Sequence, residues 1–190
     1  MKLSIVSYLD DDSMAIVRGV QEELSEITGS KASLELWQPH ITVGDGVEVN
    51  DDEFIKLRYE LDDAAAKTTR FNVDLYDIIK HDSRVGGSGE ETTPYGLYLD
   101  VRINDNLLEL VANISNSTKA LSKWYFMPKP YHPHCALAFK DLSKEGFERG
   151  IAFLDTQDLK LNVSLDHFSL VEMLPSATRE IARFNLLNEH

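Results

Sequence analysis

Residues 39–46 read PHITVGDG and residues 133–140 read PHCALAFK. Each opens with Pro-His, runs on through apolar and small residues, and precedes an acidic segment with helical character. Side chains alternate across a strand. In the first stretch Gln38, His40, Thr42 and Gly44 therefore share one face, and Pro39, Ile41 and Val43 share the other. In the second, His132, His134, Ala136 and Ala138 oppose Pro133, Cys135, Leu137 and Phe139. Both strands have an apolar face suited to packing under helices. The opposite face of each carries a histidine beside small residues, which leave room next to the imidazole.

The surroundings of the two stretches also match. LSIVSYL (3–9) reads as a strand, and 13–28 as a helix with Ser13 or Asp12 as cap and Gly29 as stop. LWQPHITV (36–43) is a strand ended by Gly-Asp-Gly, 51–67 a helix with acids at its start, and RFNVDLYDIIK (70–80) an alternating strand. HDSRVGGSGEETTPY (81–95) is a polar, Gly-rich loop. The order then restarts. GLYLDVRI (96–103) is a strand, 104–123 a helix, YHPHCALAF (131–139) a strand and 143–155 a helix with Ser143 and Gly146 near its start. LKLNVSLDHFSLVEM (159–173) reads as one long strand bulged near Asp166, and REIARFNLL as a last strand. PHITV thus pairs with PHCAL, and RFNVDLYDII with LKLNVSLDHFSL.

Two copies make an internal duplication rather than a solenoid. The expected fold is α+β, with two pseudo-symmetric lobes built from a repeated β-α-β-α-β unit. Antiparallel sheets would line a central cleft with helices outside. The chain is expected to be a single bilobal domain, its halves spanning about 1–80 and 96–190.

Bulk properties narrow the function. A chain of 190 residues is long enough for a substantial core. No apolar run could span a membrane. The start, MKLSIVSYLDDDS, lacks a signal-like apolar region, so the expected location is the cytoplasm. The single cysteine, Cys135, rules out an internal disulfide framework and a Cys-rich zinc site. A formal net charge of −13 is a poor footprint for long nucleic acid, which needs a basic surface. Any nucleotide partner should be small or terminal. A monomer is expected.

Two imidazoles on symmetry-related strands can supply a general base and a general acid near neutrality. Transfer at a phosphoester from a 2′-hydroxyl, or opening of a 2′,3′-cyclic phosphate, needs that pair and no metal. A hydroxyl two residues after each histidine would face the same way and could bind a phosphate oxygen. With His40-Ile41-Thr42-Val43 and His134-Cys135-Ala136-Leu137 in a duplicated frame, the chain resembles the two-histidine (2H) phosphoesterase superfamily, which includes the 2′-5′ RNA ligase-like proteins. The likeness runs through the element order of nearly the whole chain. It implies an RNA-type phosphoester substrate, no cofactor, His40 and His134 as the catalytic pair, and Thr42 as a phosphate contact. Ala136 departs from the family pattern, which has Thr or Ser there. Losing a hydrogen bond to an anion removes roughly 1.5–3 kcal/mol, or about one to two orders of magnitude in rate if all of it acts in the transition state. Lys129, Lys140, Tyr131 and His132 lie near enough in sequence to compensate. Arg102 shares a strand face with Tyr98 and Asp100, which directs it to the cleft. The expected substrate-binding positions are Thr42, Ala136, Tyr131, His132 and Arg102, with no metal site.

Each residue also has a plainer reading. A strand histidine is more often structural than catalytic, and only the repeat lifts His40 and His134 above that. His132 falls roughly 6–7 Å along the strand from His134 and is read as a rim residue. Thr42 is also simply a good strand residue. Trp37 and Tyr131 suit base stacking, and suit packing better. Cys135 faces the core. Gly86-Gly87-Ser88-Gly89 lacks the P-loop lysine and reads as a flexible loop. His81, His167 and His190 have no counterpart in the repeat. Two other functions stay open at this point: a nucleotide or RNA-end binding module on the same fold, and an unrelated α+β protein with structural histidines.

Overall fold

The computed structural model describes residues 1–82, 93–118 and 131–188. The Gly-rich stretch 86–89, Lys129, His190 and the end of the 104–123 helix lie outside them.

The first half begins with β1 (Lys2–Tyr8) and α1 (Asp11–Thr28). Asp10, not Ser13 or Asp12, caps α1: its carboxylate accepts the Ser13 amide hydrogen at 2.9 Å. Its other oxygen accepts from the amide of Ser164, far along the chain, at 2.8 Å. Asp10 thus serves a helix start and a strand backbone together, a role Ser13 cannot reach from within the helix. Gly29 ends α1 in the left-handed region, at φ 79°. A short helix, α2 (Ala32–Leu36), follows where the sequence suggested the start of a strand. β2 (His40–Glu48) begins at the histidine itself and runs through Gly44-Asp45-Gly46 instead of stopping there. The two glycines permit this: the pairing with β1 shifts register across the region, and Gly46 sits at φ 54°. α3 (Asp51–Ala65) opens with a capping box, Asn50 and Glu53 each accepting the other's backbone amide hydrogen. β3 (Phe71–His81) completes the half.

The second half holds β4 (Gly96–Val101), α4 (Asp105–Thr118), β5 (His134–Ala138), α5 (Lys144–Leu154), β6 (Leu161–Leu165), β7 (His167–Leu174) and β8 (Ala177–Asn185). The stretch expected as one bulged strand over 159–173 is two strands, separated at Asp166. They belong to different sheets.

The strands form two four-stranded antiparallel sheets, ordered β2-β1-β7-β8 and β5-β4-β3-β6. Helices cover their outer faces, as expected of the α+β reading. Each sheet draws strands from both halves of the sequence. β3 leaves the first half to lie between β4 and β6, and β7 returns from the second to pair with β1. The strand occupying the place of β3 in the other sheet is therefore β7, and β6 is β3's own neighbour.

A continuous core fills the space between sheets and helices. Leu3, Ile5, Ile41, Leu57, Leu61, Leu97, Leu99 and Leu107 have no accessible surface. Each such side chain contributes on the order of 2 kcal/mol when fully buried. Gly150 on α5 lets that helix settle on Leu97 and α1: a Cβ there would lie 2.6 Å from Leu97 Cδ1. Among the described residues no helix is long and apolar enough to cross a membrane.

Candidate active site

β2 and β5 come into contact where the two sheets meet. Their alternation falls as the sequence implies as far as Leu137; Ala138, expected on the face of His134, is instead buried in the core, because the β4–β5 pairing shifts register between Leu97 and Tyr98. Ile41 and Val43 on β2, and Cys135 and Leu137 on β5, are buried in the shared core, while His40, Thr42, His134 and Ala136 occupy the other faces. Cys135 is pressed against the backbone of His40, and burial pushes its thiol up to about 12. It is a packing residue that bridges the two motif strands, not a nucleophile.

The two histidines are held in the same way. His40 Nδ1 lies 2.7 Å from the carbonyl oxygen of Gln38, and His134 Nδ1 lies 3.0 Å from that of His132. A carbonyl can only accept, so Nδ1 carries a proton in each ring. Nε2 is then the ring nitrogen that a further proton can join. The same i to i−2 bond recurs at both histidines. The rings also sense each other: the charge of His134 lowers the pKa of His40.

Their settings differ. The ring of His40 lies against Trp37, centroids 4.6 Å apart, with Tyr8 edge-on at 6.5 Å. Tyr8 faces His40 directly across the β1–β2 ladder. The ring keeps some accessible surface, yet protein surrounds it closely. Burial, with a smaller push from His134 and against the hydrogen bond to Gln38, takes its pKa down to about 4. His40 is neutral at pH 7. His134 is exposed, with Tyr98 edge-on at 4.8 Å. Opposite it on the β4–β5 ladder stands Asp100, where β1 has Tyr8.

The remaining sequence-predicted positions distribute as follows. Thr42 and Ala136 are half-buried on the same faces as their histidines. Gln21 of α1 donates to the Ala136 carbonyl at 2.8 Å, and Arg18 donates to Gln21 and to the Trp37 carbonyl. This helix therefore braces both motif strands. Tyr131 reaches across to β2 and donates its hydroxyl to the Thr42 carbonyl at 2.9 Å. Its ring packs on the core, so the phenol ties the segment before β5 to β2. His132 is exposed, before the start of β5, with Nε2 3.4 Å from Asp100. Arg102 lies past the end of β4, where its guanidinium covers the Tyr76 ring at 4.7 Å and meets Asp74 at 3.5 Å. That charge is engaged by β3. Lys140 follows β5 at φ 73°, six positions beyond His134.

Sequence reasoning missed Tyr8, Tyr98, Asp100 and Gln21. The first three sit on strands that carry no motif, and only the ladder registers bring them beside the histidines. The spacing of two between Tyr98 and Asp100 on β4 was a usable signal, but which neighbour each would face was not. Tyr98 stands opposite Ala136 and lies back over Gly96, where a Cβ would collide with its ring. His167 comes within 6.4 Å of Tyr8, ring to ring, and has a buried Nε2 with no partner among the described residues.

No family model matches the chain, and no curated protein matches it by sequence. Solved structures do. TT0787 of Thermus thermophilus superimposes with a TM-score of 0.70 over 100% of both chains at 18% identity. A phosphoesterase crystal structure gives 0.63 over 98% of each chain at 14% identity. LigT of E. coli, crystallised with 3′-AMP, gives 0.61 over 97% of each chain at 15% identity. These likenesses span the whole of each chain, and they concern the fold. With its paired sheets, exchanged strands and two histidine-bearing strands in contact, the chain has the fold of these three proteins.

Proposed function

We propose that the protein is a metal-independent phosphoesterase acting on 2′,3′-cyclic phosphate or 2′-5′ phosphodiester groups of RNA ends or small nucleotides. The observation that carries this reading is the matched pair of imidazoles. Each holds its Nδ1 proton on the carbonyl two residues back, and each presents Nε2. In hydrolysis of a cyclic phosphate, one Nε2 takes a proton from water as the water oxygen bonds to phosphorus. The other Nε2 gives a proton to the ribose oxygen as its bond to phosphorus breaks. One proton is gained and one lost, and exchange with solvent resets the pair. Mutual repulsion of two imidazolium ions favours the singly protonated state that this needs.

Thr42 is the phosphate contact on the His40 side. On the other side Ala136 offers no hydroxyl, and Tyr98, directly across the ladder, brings a phenol to the same face. The acidic chain suits a small or terminal substrate. The crystallisation of LigT, a protein of this fold, with 3′-AMP supports a nucleotide-sized ligand.

Ala136 favours a second reading, a nucleotide or RNA-end binding module without turnover. Both are tested by incubating 2′,3′-cyclic nucleotides and a cyclic-phosphate-ended oligoribonucleotide with the protein in EDTA, beside His40→Ala and His134→Ala. Ring opening lost in both variants supports the enzyme. Saturable binding without turnover selects the module, and the lack of both rejects the two readings together.

A further inference from the structure

The duplication repeats the histidines but not the residues that face them. Tyr8 stands across from His40, and Asp100 stands across from His134. Directly opposed residues of an antiparallel pair have Cβ atoms roughly 4.5–5.5 Å apart on one face. Asp100 and His134 therefore project side by side from one face of the sheet. The Asp100 carboxylate is only 19% exposed and is fixed from two sides. Tyr76 of β3 donates its hydroxyl to one oxygen at 3.0 Å, and His132 approaches the other at 3.4 Å. Arg102 covers the ring of Tyr76 and meets Asp74.

We infer that Asp100 is the positioning residue that makes His134 the proton donor of the pair and leaves His40 as the acceptor. The inference rests on the phosphoesterase reading above. A carboxylate beside an imidazole favours its charged form, and an aromatic, buried setting favours the neutral one. Among the described residues, the charged and titratable groups around His134 are consistent with this. β4 presents Asp100 and Tyr98, β2 presents His40, and the preceding segment presents His132 and Tyr131. α1 presents Gln21 with Arg18 bonded to it, and α2 carries a single charged residue, Glu35, which is exposed. Asp100 is the only carboxylate that β4 holds opposite β5. His132 shares Asp100, so His134 feels a carboxylate already held in place.

The test reads the two imidazoles separately. In the wild type, NMR titration of the histidine ring protons should give His134 the higher midpoint and His40 the lower. Asp100→Asn should lower the His134 midpoint by about one pH unit and leave that of His40 nearly in place. Asp100→Glu should restore most of the difference. In turnover of a 2′,3′-cyclic nucleotide, the alkaline limb should move down in pH with Asp100→Asn and the acid limb should stay. An inverted order of midpoints in the wild type overturns the inference, and that arm needs no variant to fold. So does an unchanged His134 midpoint in a folded Asp100→Asn protein. Absence of turnover by the wild type, with the Asp100-dependent titration intact, would remove the phosphoesterase reading and leave the electrostatic pairing standing.

Discussion

β2 and β5 present the same ring in the same tautomer, and then diverge. Around His40 lie Trp37, Tyr8 and a threonine. Around His134 lie Tyr98, Asp100 and an alanine. The backbone bond that holds each ring survives in both copies because it needs only main-chain geometry. The side chains across the ladder are free to differ, and there the two copies part. A duplicated frame thus supplies the same ring twice, and unequal neighbours give the two copies different surroundings.

The most severe way to break the comparison is to remove one ring. His40→Ala and His134→Ala should each lower turnover of a 2′,3′-cyclic nucleotide by about 10²-fold or more. A variant keeping a tenth of wild-type rate would show that its histidine is not part of the pair. The missing hydroxyl comes next. Ala136→Thr should raise turnover up to about tenfold and Thr42→Ala should lower it by a similar factor, each corresponding to about 1.4 kcal/mol. If Ala136→Thr changes nothing while Tyr98→Phe slows the reaction, the phenol has taken over that place. Gly96→Ala should displace the Tyr98 ring, and through it His134, with a smaller loss of rate than either histidine variant.

Two weaker effects concern stability. Tyr131→Phe removes a partly buried bond to the Thr42 carbonyl and should cost about 1 kcal/mol in denaturant unfolding. The pH dependence rests on His40, whose folded pKa of about 4 lies below its ordinary value of 6.5. Above 6.5 the ring is neutral folded or unfolded and contributes no slope. Between 6.5 and 4 the unfolded chain binds the proton that the folded one refuses, so stability falls as pH falls. Below 4 the contribution is constant. His40→Gln should flatten that window in thermal unfolding, and an unchanged slope would count against the depressed pKa.

Much of this could be read from one sequence. The alternation in PHITV and PHCAL placed both histidines on the faces opposite the core, because a period of two is a local property. The lobed α+β plan followed from the repeat. α2 escaped because Ala32–Leu36 is too short to show a helical period, and β2 ran past its glycines because a bulge needs a partner strand to define it. The split at Asp166 was visible as an irregularity, but the passage from one sheet to the other was not: periodicity says which way a side chain points, never which strand lies beside it. For the same reason Asp100 and Tyr98 were placed on a face without a neighbour. Arg102 was read onto the face of Tyr98 and Asp100 by alternation; there it lies over the ring of Tyr76, which bonds Asp100, and it meets Asp74 of β3.

The exchanged strands have a consequence for how the chain is made. β1 is synthesised long before its neighbour β7: Ser7 finds its partner carbonyl at His167, 160 positions later. At ordinary elongation rates of about 5–20 residues per second, that is a delay on the order of ten seconds. Throughout it β1 can pair on one side only, with β2, and its other edge must wait unpaired beside an apolar face. A topology that welds the two halves together in the finished molecule leaves the nascent one open until β7 is made.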